Sequence, residues 1–458
     1  MTLAVWLGRY LWVNFCGIYR LDDLELILLD KLDVPASLDV SDGPVRELQV
    51  ASAVFRNGGH SPLMRSLITE AAEPPDVLMT WPTTALEAGG ILAVDPARVE
   101  VPLIDQPISA RVVRWATKMA GYDRVILHLH PDDVAAALAV RLAKQVKPSL
   151  FVGFMNHADH AFSAAIGVAD KVFEISAYGW ALRAQRQSEQ RSTFVGIPIA
   201  PPLQRPDGGG QGGYAFTGGT AFKYKPFRGH SLPVVLMELL RRDQSIRLKI
   251  IGPDSRDYWW WPLRMRGGQR VQMMKAVPRD EYLKLLNDCA YYIDSYPWPG
   301  GTAFPEALMR GGLVAAIQGG SSGYSYADVL RSHSAEDFLD VCIKLAAKDD
   351  AALRLQAEVR QRCIAFHAPS AVRARMEQGM DPLHIEWPPQ EMLARQQIPA
   401  AELDWMDNGR SITPSLKKLT LNRAMRAVLL RLHARHFGRL RHSSLKLGFD
   451  LYLKKVKV

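Results

Sequence analysis

Residues 291–316 read YYIDSYPWPGGTAFPEALMRGGLVAA. An apolar run, Tyr291–Ser295, predicts a buried strand. It leads into Pro-Gly-Gly-Thr at 299–302, then a helical stretch over Phe304–Arg310, then a second apolar strand over Leu313–Ile317. Glycines at a strand-to-helix turn let the backbone approach a ligand closely, and the first turn of the helix offers unpaired N–H groups to a phosphate. Gly300 and Gly301 are therefore candidate phosphate cradles. Thr302 can cap the helix or donate to a phosphate oxygen. Glu306, one turn later on the same face, can accept from ribose hydroxyls.

Outward from this block the same alternation of apolar, β-rich runs and helical stretches continues. On its N-terminal side the expected strands are Tyr214–Thr217, Arg247–Ile251 and Val271–Met274, with helices over Leu232–Arg242, Asp280–Ala290 and, beyond the block, Ala335–Ala347. A second series precedes it: Leu48–Phe55, Asp76–Trp81, Arg124–His130, Leu150–Asn156, Lys171–Ile175 and Thr193–Ile197. Near-continuous apolar strands alternating with helices imply parallel sheets covered on both faces. The proline- and glycine-rich stretch PIAPPLQRPDGGGQGG separates the two series. The fold class is thus α/β, with two Rossmann-like domains facing each other across a cleft. The expected boundaries are an N-terminal extension at 1–45, a first domain at 46–198, a linker at 199–213 and a second domain at 214–370. A closing segment at 371–400 and a tail at 401–458 follow.

Residues 291–316 resemble the nucleotide-sugar motif of GT-B glycosyltransferases of the group 1-like, bacterial polysaccharide and lipopolysaccharide type. Residues 271–290, VQMMKAVPRDEYLKLLNDCA, and 247–253, RLKIIGP, resemble the two elements that precede that motif in the family. Together they cover most of 214–345. The resemblance implies a GT-B fold, a nucleoside-diphosphate sugar as donor in the second domain, and a hydroxyl-bearing saccharide or lipid-linked acceptor on the first. Retaining members often carry two glutamates eight positions apart. Here Glu306 matches the second, Trp298 stands at the first, and Leu313 replaces a proline–valine step.

Further residues extend the candidate site. Thr217-Gly-Gly-Thr220 is followed by Lys223, Lys225 and Arg228, a basic mouth suited to a diphosphate leaving group. No D-x-D pair stands beside it, so no metal is expected, and no cofactor beyond the sugar nucleotide as donor substrate. In the first series, Asn57–Pro62 places Gly58, Gly59 and His60 between a strand and a helix, on the acceptor side. His128-Leu-His130-Pro-Asp-Asp133 and Asn156-His157-Ala-Asp159-His160 lie at the carboxyl ends of neighbouring strands, where open α/β sheets bind ligands. Asp159 or His160, then His130, are the candidates for the base that strips the acceptor hydroxyl. Packing against backbone carbonyls is the competing role for these histidines. Tyr258-Trp-Trp-Trp-Pro262 offers rings that could stack on a sugar or base, although packing under a loop is the simpler role for at least two of them.

Composition bounds the rest. The chain has 458 residues, is 48% hydrophobic and 22% charged, and carries a net charge of +9. That excludes disordered and collagen-like chains. Residues 401–458 hold 13 Lys+Arg against 4 Asp+Glu, so the tail carries the whole net charge and the body is neutral. Leu421, Met425, Val428 and Leu432 fall at helical spacing, with Arg423, Arg426 and Arg431 off that stripe. A cationic amphipathic helix over 414–458 predicts an anionic membrane surface as partner. A nucleic-acid partner is not expected, since no aromatic–basic platform accompanies the tail. Four scattered cysteines, no export signal and no spanning helix point to the cytoplasm, peripheral on the inner face of the plasma membrane. The rival readings are a GT-B-fold epimerase and a non-catalytic sugar-binding scaffold.

Overall fold

The computed structural model describes residues 2–378, apart from 14–16, 33, 35–37, 39–46, 57–58, 104, 201–209, 211, 255–256 and 320–322. The tail at 401–458, most of the linker and Gly58 therefore lie outside the described residues, as do the later parts of the closing segment.

The first sheet comprises β1 (Glu47–Ala51), β2 (Asp76–Met79), β3 (Val99–Glu100), β4 (Arg124–His128), β5 (Phe151–Asn156), β6 (Lys171–Glu174) and β7 (Ser192–Phe194). All are parallel, in the order β3-β2-β1-β4-β5-β6-β7. The second comprises β8 (Ala215–Gly218), β9 (Leu248–Ile251), β10 (Val271–Met274), β11 (Tyr291–Ile293), β12 (Val314–Ile317) and β13 (Arg331–Ser332). It is again parallel, in the order β10-β9-β8-β11-β12-β13. In both orders the chain reverses direction across the sheet beside its first strand, after β3 in one and after β10 in the other. Open sheets bind ligands at such a switch point, beyond the carboxyl ends of the strands.

Local chemistry explains the elements. The helix Val134–Val146 is nearly all Ala, Val and Leu and is buried through most of its length, so it is an interior helix. Asp133 caps it, accepting from the Ala136 N–H at 3.1 Å. The first 45 residues, to which the sequence assigns no role, supply helices Thr2–Val13 and Asp22–Asp30 that join the core of the first domain. Glu25 is buried there and accepts from Arg141 at 2.6 Å and from the Ala165 N–H at 3.1 Å. At the other end, helix Pro369–Gln378 returns to the first domain. Arg373 pairs with Glu47 at 2.7 Å and Arg375 donates to the Val195 carbonyl at 2.8 Å. Helix Pro369–Gln378 thereby ties the second domain back to the first. Among the described residues no helix is long and apolar enough to cross a membrane.

Candidate active site

The carboxyl ends of the two sheets face each other over a cavity of about 260 Å³. The first domain lines it with Gly59, His60, His157, Asp159 and His160, and the second with Phe222, Lys223, Trp298, Pro299, Gly301, Thr302 and Tyr324. The walls meet closely: a Cβ on Gly59 would sit 2.7 Å from Thr302 Oγ1, so the glycine is required by the contact between the domains.

The second-domain wall rests on a buried charge network. Asp294 follows β11 and accepts the Gly300 N–H through both carboxylate oxygens, at 3.1 and 3.0 Å. A Cβ on Gly300 would lie 2.6 Å from Asp294 Oδ1, so only glycine allows this turn. Arg331, fully buried on β13, pairs with Asp294 at 2.8 Å and with Asp328. Asp328 accepts from the N–H groups of Gly323, Tyr324 and Ser325 at 3.0, 2.7 and 3.0 Å. One guanidinium thus couples the glycine turn to the Tyr324 loop. Burial pushes the Asp294 carboxyl up from its ordinary range, against the opposing pull of Arg331 and Lys223. Lys223 Nζ also donates to the Pro299 carbonyl at 3.4 Å.

On the opposite wall, Asp159 is buried and accepts from Ser176 Oγ, while its other oxygen lies 3.0 Å from His160 Nδ1. A carboxylate at Nδ1 places the ring proton there and leaves Nε2 as the acceptor. The loop carrying this pair is held by Arg186, which donates to the Asp159 and Gly179 carbonyls and pairs with Glu174 at 2.9 Å.

No family model matches the sequence, and no curated protein matches it. Solved structures do. The O-GlcNAc transferase of Thermobaculum terrenum aligns with a TM-score of 0.53 at 17% identity, over 82% of this chain and 76% of that one. HepE of Anabaena, solved in complex with UDP, aligns at 0.54 and 12% identity, over 73% of this chain and 99% of its own. A glycosyltransferase from Rickettsia africae aligns at 0.52 and 12% identity, over 73% and 98%. The fold is GT-B.

The GT-B cleft gathers Gly59, His60, Asp159, His160, Lys223, Gly301 and Thr302 around one cavity. The other residues singled out in the sequence stand elsewhere. Gly300 lies just behind the turn, buried against Asp294. Lys225 is exposed outside the lining, because it sits two positions beyond Lys223 at the end of the 3-10 turn Ala221–Tyr224. Glu306 is ion-paired with Arg279 and, at 3.1 Å, with Arg310, also outside the lining. His130 packs between Trp12 and Trp81, with ring centroids at 4.4 and 4.7 Å, and contacts Asp132. Of the three tryptophans, Trp260 is fully buried against Tyr224, and none lines the cavity.

A polar chain leads into the GT-B cavity from behind the sheet. Glu47, paired with Arg124 and Arg373, can only accept, so Gln49 Nε2 donates to it at 2.6 Å. Gln49 Oε1 therefore faces His128 Nε2 at 2.7 Å, which fixes the His128 proton on Nε2. Burial holds His128 and His157 well below the ordinary histidine range, so both rings are neutral. His128 Nδ1 then accepts from His157 Nε2 at 2.9 Å, and the lone pair of His157 is left on Nδ1. His60 donates its Nε2–H to the His128 carbonyl at 3.3 Å, and its buried Nδ1 meets no hydrogen-bond partner. Burial lowers the His60 pKa to about 4. The His60 and His157 rings lie 4.1 Å apart on the cavity wall. Both His128 nitrogens are occupied, and among the described residues no group of side chains is placed to hold a metal ion.

Proposed function

We propose that the chain is a glycosyltransferase that moves a sugar from a nucleoside-diphosphate sugar to a hydroxyl of a saccharide or lipid-linked acceptor, in the synthesis of a bacterial surface polysaccharide or lipopolysaccharide. One observation carries the reading. The cavity has a cationic, glycine-turn wall from the second domain and, opposite it, the Asp159–His160 pair from the first. The first suits a diphosphate and the second a proton acceptor. Lys223 neutralises charge on the departing diphosphate, beside the Gly301–Thr302 backbone. The His157 Nδ1 lone pair, on the cavity wall, accepts a hydroxyl of a sugar placed between the walls. His160 Nε2 takes the acceptor proton, and Asp159 stabilises the imidazolium that forms. HepE, which shares the fold, has been solved with UDP and with UDP-glucose, which supports a uridine nucleotide as the first donor to try.

The test is a calorimetric screen of nucleoside diphosphates, followed by turnover with the sugar nucleotide of the base that binds. Lys223→Ala should lower kcat more than it raises KM for the donor. His160→Ala and Asp159→Asn should each lose ~10²–10⁴-fold in rate. No nucleotide binding at any concentration tried, or near-wild-type turnover in both first-domain variants, would reject the assignment.

A further inference from the structure

Outside the cleft, the short helix Trp261–Gly267 and the 3-10 turn Tyr258–Trp260 that precedes it have two apolar faces. Trp260 and Leu263 are fully buried and Gly267 is buried with them, which anchors one face in the core of the second domain. The other face points away from the protein. Tyr258, Trp261 and Met265 are 68%, 57% and 83% exposed, and Met265 is the most exposed of the large apolar side chains described. Trp261 and Met265 are one helical turn apart. At 100° per residue, Arg264 and Arg266 flank Met265 on either side, and both are exposed. An apolar stripe ending in aromatic rings, edged by arginines, is the pattern of helices that lie in a lipid interface.

The charge within the segment is of one sign, with Asp257 just before it and Asp280 and Glu281 just after it. From Tyr258 to Arg279 the chain has five Lys+Arg and no Asp or Glu. Arg270 is engaged by the carbonyls of Leu240 and Asp243 at 3.0 and 3.2 Å, and Arg279 by Glu306. Arg264, Arg266 and Lys275 remain exposed. The three apolar side chains present on the order of 450 Å², about half of what one partner buries in a stable protein interface. A fluid, anionic surface fits so small an apolar stripe, edged by arginines, better than a second protein does. We propose that Tyr258, Trp261 and Met265, flanked by Arg264 and Arg266, dock the second domain onto an anionic lipid surface. The turn follows β9, at the carboxyl end of the sheet, where Lys223 follows β8 and the glycine turn follows β11, so docking brings the mouth of the cleft towards the lipid headgroups. The surface is independent of the basic tail and of the sugar-transfer reading.

The test uses the full chain, so that the tail is present in every sample. Flotation is measured with vesicles of phosphatidylglycerol in phosphatidylcholine and of phosphatidylcholine alone. The triple variant Tyr258→Ser, Trp261→Ser, Met265→Ser should partition more than tenfold more weakly onto the anionic vesicles. Arg264→Gln and Arg266→Gln should each cost about fivefold at low salt. UDP calorimetry on the same variants separates docking from the cleft: a change in UDP affinity would report on the cleft and leave the partition ratio to decide docking. As a second measurement, Met265→Cys in a Cys16→Ser background carries an environment-sensitive dye, the other cysteines being buried. Its emission should shift to the blue with anionic vesicles only. A triple variant that floats like the wild type, a wild type that ignores anionic vesicles, or a dye that stays aqueous on bound vesicles would overturn the proposal. So would a dye that responds to an acidic protein and not to lipid.

Discussion

Arg331→Met tests whether the second-domain wall of the cavity depends on one buried cation. The side chain of Arg331 is fully buried, that of Asp294 almost so, and that of Asp328 is 10% exposed. Removing one partner of a buried pair costs about 3–5 kcal/mol, because the remaining charge is left uncompensated. Here Asp294 keeps the Gly300 N–H and the nearby Lys223, and Asp328 keeps three backbone donors. The loss should therefore fall at the low end, about 3 kcal/mol, or a Tm lower by roughly 6–12 °C for a domain of this size. The sign of the pH dependence is fixed. The Asp294 carboxyl is already raised by burial, and losing Arg331 raises it further. A carboxyl whose folded pKa lies above its unfolded value gains stability as pH falls through the folded value, so the deficit of the variant should shrink between pH 8 and pH 5. Asp294→Asn in the Arg331→Met background should recover part of the loss, since it removes the stranded charge. The assay is urea unfolding at both pH values, with UDP calorimetry on the folded protein, where affinity should fall as the Gly300 and Tyr324 loops loosen. A deficit below about 1 kcal/mol, one that grows towards acid, or one unchanged by Asp294→Asn would refute the clamp.

His60 titrates at about 4 in the folded chain, below its ordinary 6.5, so its contribution to stability is complete above pH 6.5 and is lost as pH falls towards 4. That loss amounts to roughly 3 kcal/mol; His60→Gln should flatten the acid limb of the stability curve by this amount, and an unchanged slope would show that the ring is not buried as described. Gln49→Leu removes the acceptor for His128 Nε2–H. His128 should then move its proton to Nδ1 and His157 should follow, because keeping it on Nε2 would leave a buried donor unpaired at about 1–3 kcal/mol. Nitrogen-15 shifts of histidine-labelled protein read both tautomers, and a His157 tautomer that does not change would break the chain from Glu47 to the cavity.

Most of the fold is legible because buried parallel strands are apolar throughout. Among the described residues, eleven of the thirteen strands fall within a residue or two of the expected runs at one or both ends, Val271–Met274 without any difference. The two that escape, Val99–Glu100 and Arg331–Ser332, are two-residue sheet edges, too short for any periodicity. The N-terminal helices escape for a different reason. Asp22 and Glu25 sit among leucines in what reads as an ambiguous pattern, and only Arg141, more than a hundred residues away, explains them.

The candidate site divides along the same line. Gly59, Gly301 and Lys223 are legible because their roles are local: a turn that admits no side chain, and a cation beside it. Choosing Lys223 over Lys225 needs the 3-10 turn itself, in which residues two apart point to different sides. Asp294 and Arg331 carry no local signal, since a charged residue beside an apolar strand reads as solvent-facing until its partner from another strand is placed against it, whereas Asp328 has one in its Ser-x-x-Asp capping box with Ser325. The histidines show the limit most clearly. In sequence, His128, His130, His157 and His160 are equivalent residues at neighbouring strand ends. The strands separate them by burial and by partner: His128 bridges Gln49 and His157, His130 is a ring between two tryptophans, His157 lines the cavity and His160 is oriented by Asp159. What distinguishes them is the proton each nitrogen must hold. That follows from Gln49 and Asp159, residues whose own orientation is set by groups the sequence places far away, Arg373 for one and Ser176 for the other.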